Sequence, residues 1–138
     1  MRVFTTPEDD VYEEDRVNFV DESNVLLGYA IEERCCEFVG WNVLDTKPTA
    51  KWSLKKYEGS IEELNTAIEP YRFTKKISVI EHVGGGNWDD NVTRIVIAPI
   101  KAKRLPTKYV VLFNHHTGFY SHGFEFNDGE TPIRVGAL

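Results

Sequence analysis

Over most of its length the chain alternates apolar and polar positions at period two, the pattern of strands with one covered face. "VNFV" and "VLLGYAIEE" flank the polar tetrad "DESN", so residues 17–33 read as a hairpin. Val25, Leu27, Tyr29 and Ile31 share one face of its second arm. "CCEFVGWNVLD" continues as a further strand through Phe38, Val39, Trp41, Val43 and Leu44. "KKISVIEHV", "VTRIVIAPIKA" and "KYVVLFNHH", rich in β-branched and aromatic residues, predict three more strands, with "GFYSHGFEF" and "IRVGAL" as the last. "TKPTAKWSLKKYEG", punctuated by Pro48 and Gly59, predicts no more than a short extended piece around Trp52, Leu54 and Tyr57.

The period changes once. In "GSIEELNTAIEPY" the apolar positions Ile61, Leu64, Ala67 and Ile68 fall on one helical stripe. Ser60 and Glu63 have the spacing of a capping box, and Pro70 stops the helix after Glu69. A helix over residues 60–69 is too short to stand alone, so its stripe must pack on a sheet. Strands in succession with short connections, and one helix, predict an α+β fold: mainly antiparallel β-sheet with one short helix packed on it.

No linker, repeat or low-complexity stretch divides the chain, so residues 1–138 read as a single domain. Residues 1–16 read as an acidic, mobile lead-in. Six carboxylates (Glu8, Asp9, Asp10, Glu13, Glu14 and Asp15) stand there against Arg2 and Arg16, a large part of the formal net charge of -6. The lysines and arginines form two loose groups, Lys47, Lys51, Lys55, Lys56 and Lys101, Lys103, Arg104, Lys108. On an acidic chain this argues against general nucleic-acid binding. No apolar run spans a bilayer and no signal-peptide core opens the chain, so the expectation is a cytoplasmic protein with no membrane partner.

Two motifs raise chemical questions and are weak answers to them. The vicinal Cys35 and Cys36 point to opposite faces of a strand and have no second pair to complete a zinc site, so neither a metal nor a disulfide is expected there. "HVGGGNWDDN" has glycines but lacks the following helix and the Lys-Ser/Thr of a phosphate loop. It reads as a mobile tip carrying Trp88, which could fold over a planar ligand.

The stretch "FNHHTGFYSHGFEF" holds three of the four histidines. Read as a hairpin closed by His116-Thr117-Gly118, it pairs Asn114 with Tyr120 and Leu112 with His122. Asn114, Tyr120 and His122 then share a face with Val110, Leu112, Phe124 and Phe126. Directional polar groups above an apolar floor describe a binding site. The candidate ligand-binding residues are therefore Trp88, Asn114, His115, His116, Tyr120 and His122. No catalytic motif is recognisable, and no cofactor is expected.

"ERCCEFVGW" together with "LFNHHTGFYSHGFEF" resembles a family of small uncharacterised proteins of bacteria and their phages. The likeness rests on Cys35, Cys36 and Glu37, then on Phe113, Asn114, His116, Gly118, Tyr120, His122, Gly123 and Phe124. It covers residues 17–44 and 108–126 and leaves the middle of the chain unmatched. It implies a phage or mobile-element context, with the host cytoplasm as location, and no established activity. Three functions then compete. The first is a non-catalytic binder of a small nucleotide-like ligand, sequestering a host defence signal. The second is a small hydrolase, metal-dependent or general acid/base, using His115, His116 or His122 with Glu37. The third is an inhibitor docking its acidic N-terminus on a host protein. Assembly as a homo-oligomer is left open.

Overall fold

The computed structural model describes residues 1–6, 15–33, 37–49, 51–83, 92–116, 122–129 and 131–138. In chain order its elements are β1 (Arg2–Thr6), β2 (Arg16–Val20), β3 (Val25–Ala30), β4 (Phe38–Leu44) and α1 (Ile61–Ile68). There follow β5 (Arg72–Phe73), β6 (Ser78–Val83), β7 (Val92–Lys101), β8 (Lys108–His116), β9 (Gly123–Asp128) and β10 (Thr131–Ala137). The fold is α+β and mainly antiparallel, with one short helix among the described residues. The strands divide into two sheets, ordered β1-β2-β3-β9-β10 and β4-β8-β7-β5, with β6 also on β7. Pro99 falls where the partner of β7 changes: β6 pairs as far as Ile97 and β5 resumes at Ile100. A proline cannot donate to a ladder, so a break between partners suits it.

The 17–33 hairpin forms as its pattern requires, β2 pairing with β3. Asp21 fastens its turn. One carboxylate oxygen accepts from the N–H groups of Ser23 and Val25, the other from Phe73 of the opposite sheet. Asn24 takes the left-handed conformation the turn needs, with φ at 60°.

One hydrophobic cluster lies between the sheets. Val3, Val17, Phe19, Val25, Leu27, Tyr29, Phe124 and Phe126 meet Val39, Val96, Ala98, Ile100, Val110 and Leu112 across it. Helix α1 adds Leu64 and Ile68, while Ile61 sits at the cluster's margin and Ala67 is exposed, so the stripe is narrower than the sequence suggests. Ser60 caps the helix, its hydroxyl accepting from the Glu63 N–H. Asn65 then faces the β1 edge. Its amide accepts from the Val3 N–H at 2.7 Å and donates to the Val3 carbonyl at 3.0 Å, occupying groups a bare edge would offer to another chain.

Two expectations are corrected here. Residues 2–6 are not part of a lead-in: they pair with β2 and bury Val3, while residues 7–14 lie outside the described residues. Nor do β8 and β9 pair with each other as a hairpin. Strand β8 is flanked by β4 and β7, which take both its edges, and β9 lies in the other sheet between β3 and β10. The residues expected to share one ligand-binding face come instead from two sheets: Val110, Leu112 and Asn114 are buried on one side of the interior and His122, Phe124 and Phe126 on the other, while Tyr120 lies outside the described residues.

The uninterrupted apolar runs of β7 and β8 have a cause. Residues 95–98 and 110–114 are buried on both faces, as happens when a sheet is covered on both sides. The outer face carries a second cluster of Ile95, Ile97, Val111 and Phe113, packed by Leu44, Trp52, Leu54, Ile80 and Tyr109. The irregular segment after β4 is its cover. The Asn42 amide donates to the Lys55 carbonyl and the Tyr57 N–H to the Trp41 carbonyl, lashing it along β4. Each fully buried aliphatic or aromatic side chain beneath contributes about 1.5–3 kcal/mol, enough to hold down a segment with no ladder of its own.

Candidate functional site

Register assembles a site on that outer face. His82 pairs with Thr93, Thr93 with His115, and His115 with Phe38, so four adjacent strands present these side chains in one row. Directly paired residues share a face. The next row inward is Ile80, Ile95, Phe113 and Gly40. Glycine is needed at 40, since a Cβ there would stand 2.8 Å from the Phe113 ring and 2.7 Å from Lys56. Phe113 is fully buried beneath this face, stacked on Phe38 with centroids 5.6 Å apart, and Trp52 meets it edge-on at 5.7 Å.

Phe38, Lys51, Trp52, Leu54, His82, Thr93 and His115 line a solvent-open groove of about 420 Å³. That is within the usual range for small-molecule sites, roughly 300–1,000 Å³. The Thr93 hydroxyl and His115 Nδ1 are 2.7 Å apart, which orients the ring and leaves Nε2 for other partners. Lys56 stands 4.7 Å over the Phe38 ring with its charge met by Glu33 at 2.6 Å, so it braces the aromatic wall.

His122, six residues on from His116, does something else. It lies in the interior, its Nδ1 2.9 Å from the Ala30 carbonyl and its Nε2 2.9 Å from Glu37 Oε2, with side-chain exposures of 3% and 0%. A carbonyl only accepts, so Nδ1 carries a proton. The other ring nitrogen, Nε2, faces the Glu37 carboxylate. The pair ties Glu37, just ahead of β4, to His122, just ahead of β9, at one end of the sandwich. Tyr29 lies beside it, its ring 6.2 Å from His122, and donates its hydroxyl to the Phe113 carbonyl of the facing sheet. Burial, and secondarily the Glu37 charge, push the Tyr29 phenol far above its ordinary range, so it stays a neutral donor.

The expected site residues therefore separate. His115 lines the groove. Asn114 is fully buried on the other face, its amide donating to the Leu138 carbonyl, and its Oδ1 has no partner among the described residues. His122 is buried with Glu37. Among the described residues Asn114 and His122 line no groove; both are buried. Adjacent strand residues point to opposite faces, so Asn114 turns inward as His115 turns outward. Trp88, Tyr120 and the His116 side chain lie outside the described residues, as do Cys35 and Cys36. The sequence reading missed His82, Thr93, Lys51, Trp52 and Phe38. The doubly covered strands β7 and β8 were the available signal, because they require a cover, and Trp52 and Leu54 are the large apolar side chains of an otherwise polar segment. Among the described residues no group of three His, Cys, Asp or Glu side chains is placed to hold a metal ion, and no helix is long and apolar enough to cross a membrane.

No protein-family model, curated protein or solved structure matches the chain.

Proposed function

We propose that the protein is a non-catalytic binder of a small, planar, nucleotide-like ligand, held in the outer-face groove. The observation that carries this reading is the row His82–Thr93–His115–Phe38 laid beside Trp52 and Leu54 in one groove. It supplies directional donors and acceptors at one edge of an apolar seat, the composition of a ligand site. In the phage context implied by the resemblance, such a binder in the host cytoplasm would sequester a small defence signal. The test is native mass spectrometry of protein purified from cells, with heat release of any ultraviolet-absorbing ligand. The wild-type chain is expected to retain a small mass that Trp52→Ala and His115→Ala lose while staying folded. Absence of a retained mass, together with no affinity for added nucleotides, would sink the reading.

The Thr93–His115 contact favours a second reading, a histidine-dependent hydrolase, because a hydroxyl at 2.7 Å from an imidazole is the arrangement of a nucleophile and its base. Of the expected histidine–Glu37 pairings the one with His122 forms, but it is buried and does not line the groove. A hydrolase would lose turnover in Thr93→Val while keeping affinity. A binder shows no turnover in either form.

A further inference from the structure

Resting on the binding reading above, we propose that the ligand is anionic, a nucleoside monophosphate whose ring lies toward Phe38 and Trp52 and whose phosphate lies toward His82. The sign of the charge follows from the lining. Lys51, Thr93, His82 and His115 supply an ammonium, a hydroxyl and two imidazoles, and no carboxylate lines the groove among the described residues. A cationic ligand would meet Lys51 with nothing to balance it. A phosphate meets the Lys51 ammonium, the His82 ring and one donor from the mutually bonded Thr93–His115 pair, and such donors hold anions by charge-assisted hydrogen bonds.

Orientation follows from the row. His82, on β6, and Phe38, on β4, are three strand spacings apart, about 14 Å at the usual separation. That length accommodates a base, a ribose and one phosphate end to end. The Phe38 end is aromatic and its nearby cation is already met by Glu33, whereas the His82 end is polar. Lys51 has no ion-pair partner among the described residues, so its charge is available to a ligand. A second cleft, of about 360 Å³, has more cations, Arg72, Lys101 and Lys103, around Pro70 and Ala102. It lacks an aromatic wall, and Arg72 is held by Glu22 at 3.1 Å. It can attract phosphate but cannot seat a base.

The experiment is titration calorimetry on the full chain. The probes are the four common ribonucleoside 5′-monophosphates, their parent nucleosides and inorganic phosphate, each at low and high salt. At least one monophosphate is expected to bind, with its nucleoside about tenfold or more weaker, the loss expected for a charge-assisted contact, and inorganic phosphate weaker still. High salt should erode the difference. Lys51→Glu should abolish the preference for the monophosphate while leaving nucleoside affinity in place, and the double variant Lys101→Glu/Lys103→Glu should change nothing. Equal affinity for nucleoside and monophosphate overturns the anionic assignment and leaves the planar-ligand reading standing. Loss of the preference in the Lys101/Lys103 variant instead of Lys51→Glu also overturns it. Binding of neither class, or binding untouched by Trp52→Ala, overturns the groove as a ligand site and both proposals with it.

Discussion

His122→Ala separates an interior histidine from a groove histidine. The substitution removes a donor to the Ala30 carbonyl and takes the imidazole away from a carboxylate whose side chain has no solvent exposure. Breaking one side of such a pair costs about 3–5 kcal/mol, a large fraction of the roughly 5–15 kcal/mol that holds a domain folded. His115→Ala loses one partly covered hydrogen bond to Thr93 and should cost about 1 kcal/mol. Urea unfolding followed by circular dichroism measures both, with the denaturant slope compared to establish that stability alone has changed. Replacing the pair together, Glu37→Leu/His122→Leu, should recover only part of the loss: a buried pair exchanged for apolar side chains is often close to neutral, but the Ala30 carbonyl still lacks its donor. A wild-type midpoint for His122→Ala would refute the buried latch. Equal losses in His115→Ala and His122→Ala would remove the distinction between the two histidines.

Leu64→Ala should lower stability by about 2–4 kcal/mol, as for other buried leucines, because Leu64 is 6% exposed against the central cluster; an unchanged melting curve would place α1 off the core. Asp21→Ala leaves the Val25 and Phe73 N–H groups without their acceptor and should cost about 2–4 kcal/mol in urea unfolding, with Asn recovering only part, since its one oxygen serves one side while its amide nitrogen faces an N–H on the other; a loss under 1 kcal/mol would mean that water replaces the carboxylate. For Tyr29 the folded-state shift is upward, so its contribution is complete below the unfolded tyrosine value of about 10 and is lost as pH rises above it, by about 1.4 kcal/mol per unit. Tyr29→Phe should flatten that alkaline decline relative to wild type, and parallel profiles would show that the phenol reaches solvent.

Much of the fold was legible because a half-buried strand writes its burial at period two. The 17–33 hairpin, β4 and α1 with its Ser60 cap all follow from local pattern. Strands β1 and β5 did not. "RVFTT" is short and lies beside a run of carboxylates that dominates the reading, and "RF" is a two-residue bridge set by its partner on β7. The division into two sheets was also invisible locally. A strand's apolar run shows that it is covered on both faces, not which neighbours cover it, so β8 and the following strand looked like partners when each had already been paired elsewhere.

The site was less legible for a geometric reason. Closeness along a strand is not closeness in space: one step in sequence reverses the face, so Asn114 and His115 lie on opposite sides of a sheet. Register does the opposite and brings together residues far apart in sequence. Phe38, His82, Thr93 and His115 become neighbours because four strands align them, and no local spacing encodes that alignment. A histidine-rich stretch could therefore divide its chemistry between interior and surface. His122 faces a carbonyl and a buried carboxylate, where its hydrogen bonds secure the end of the sandwich. His115 faces a threonine and a groove, where its second nitrogen can meet a ligand. The residue type is the same in both places, and the partner each imidazole finds across the strand decides its role.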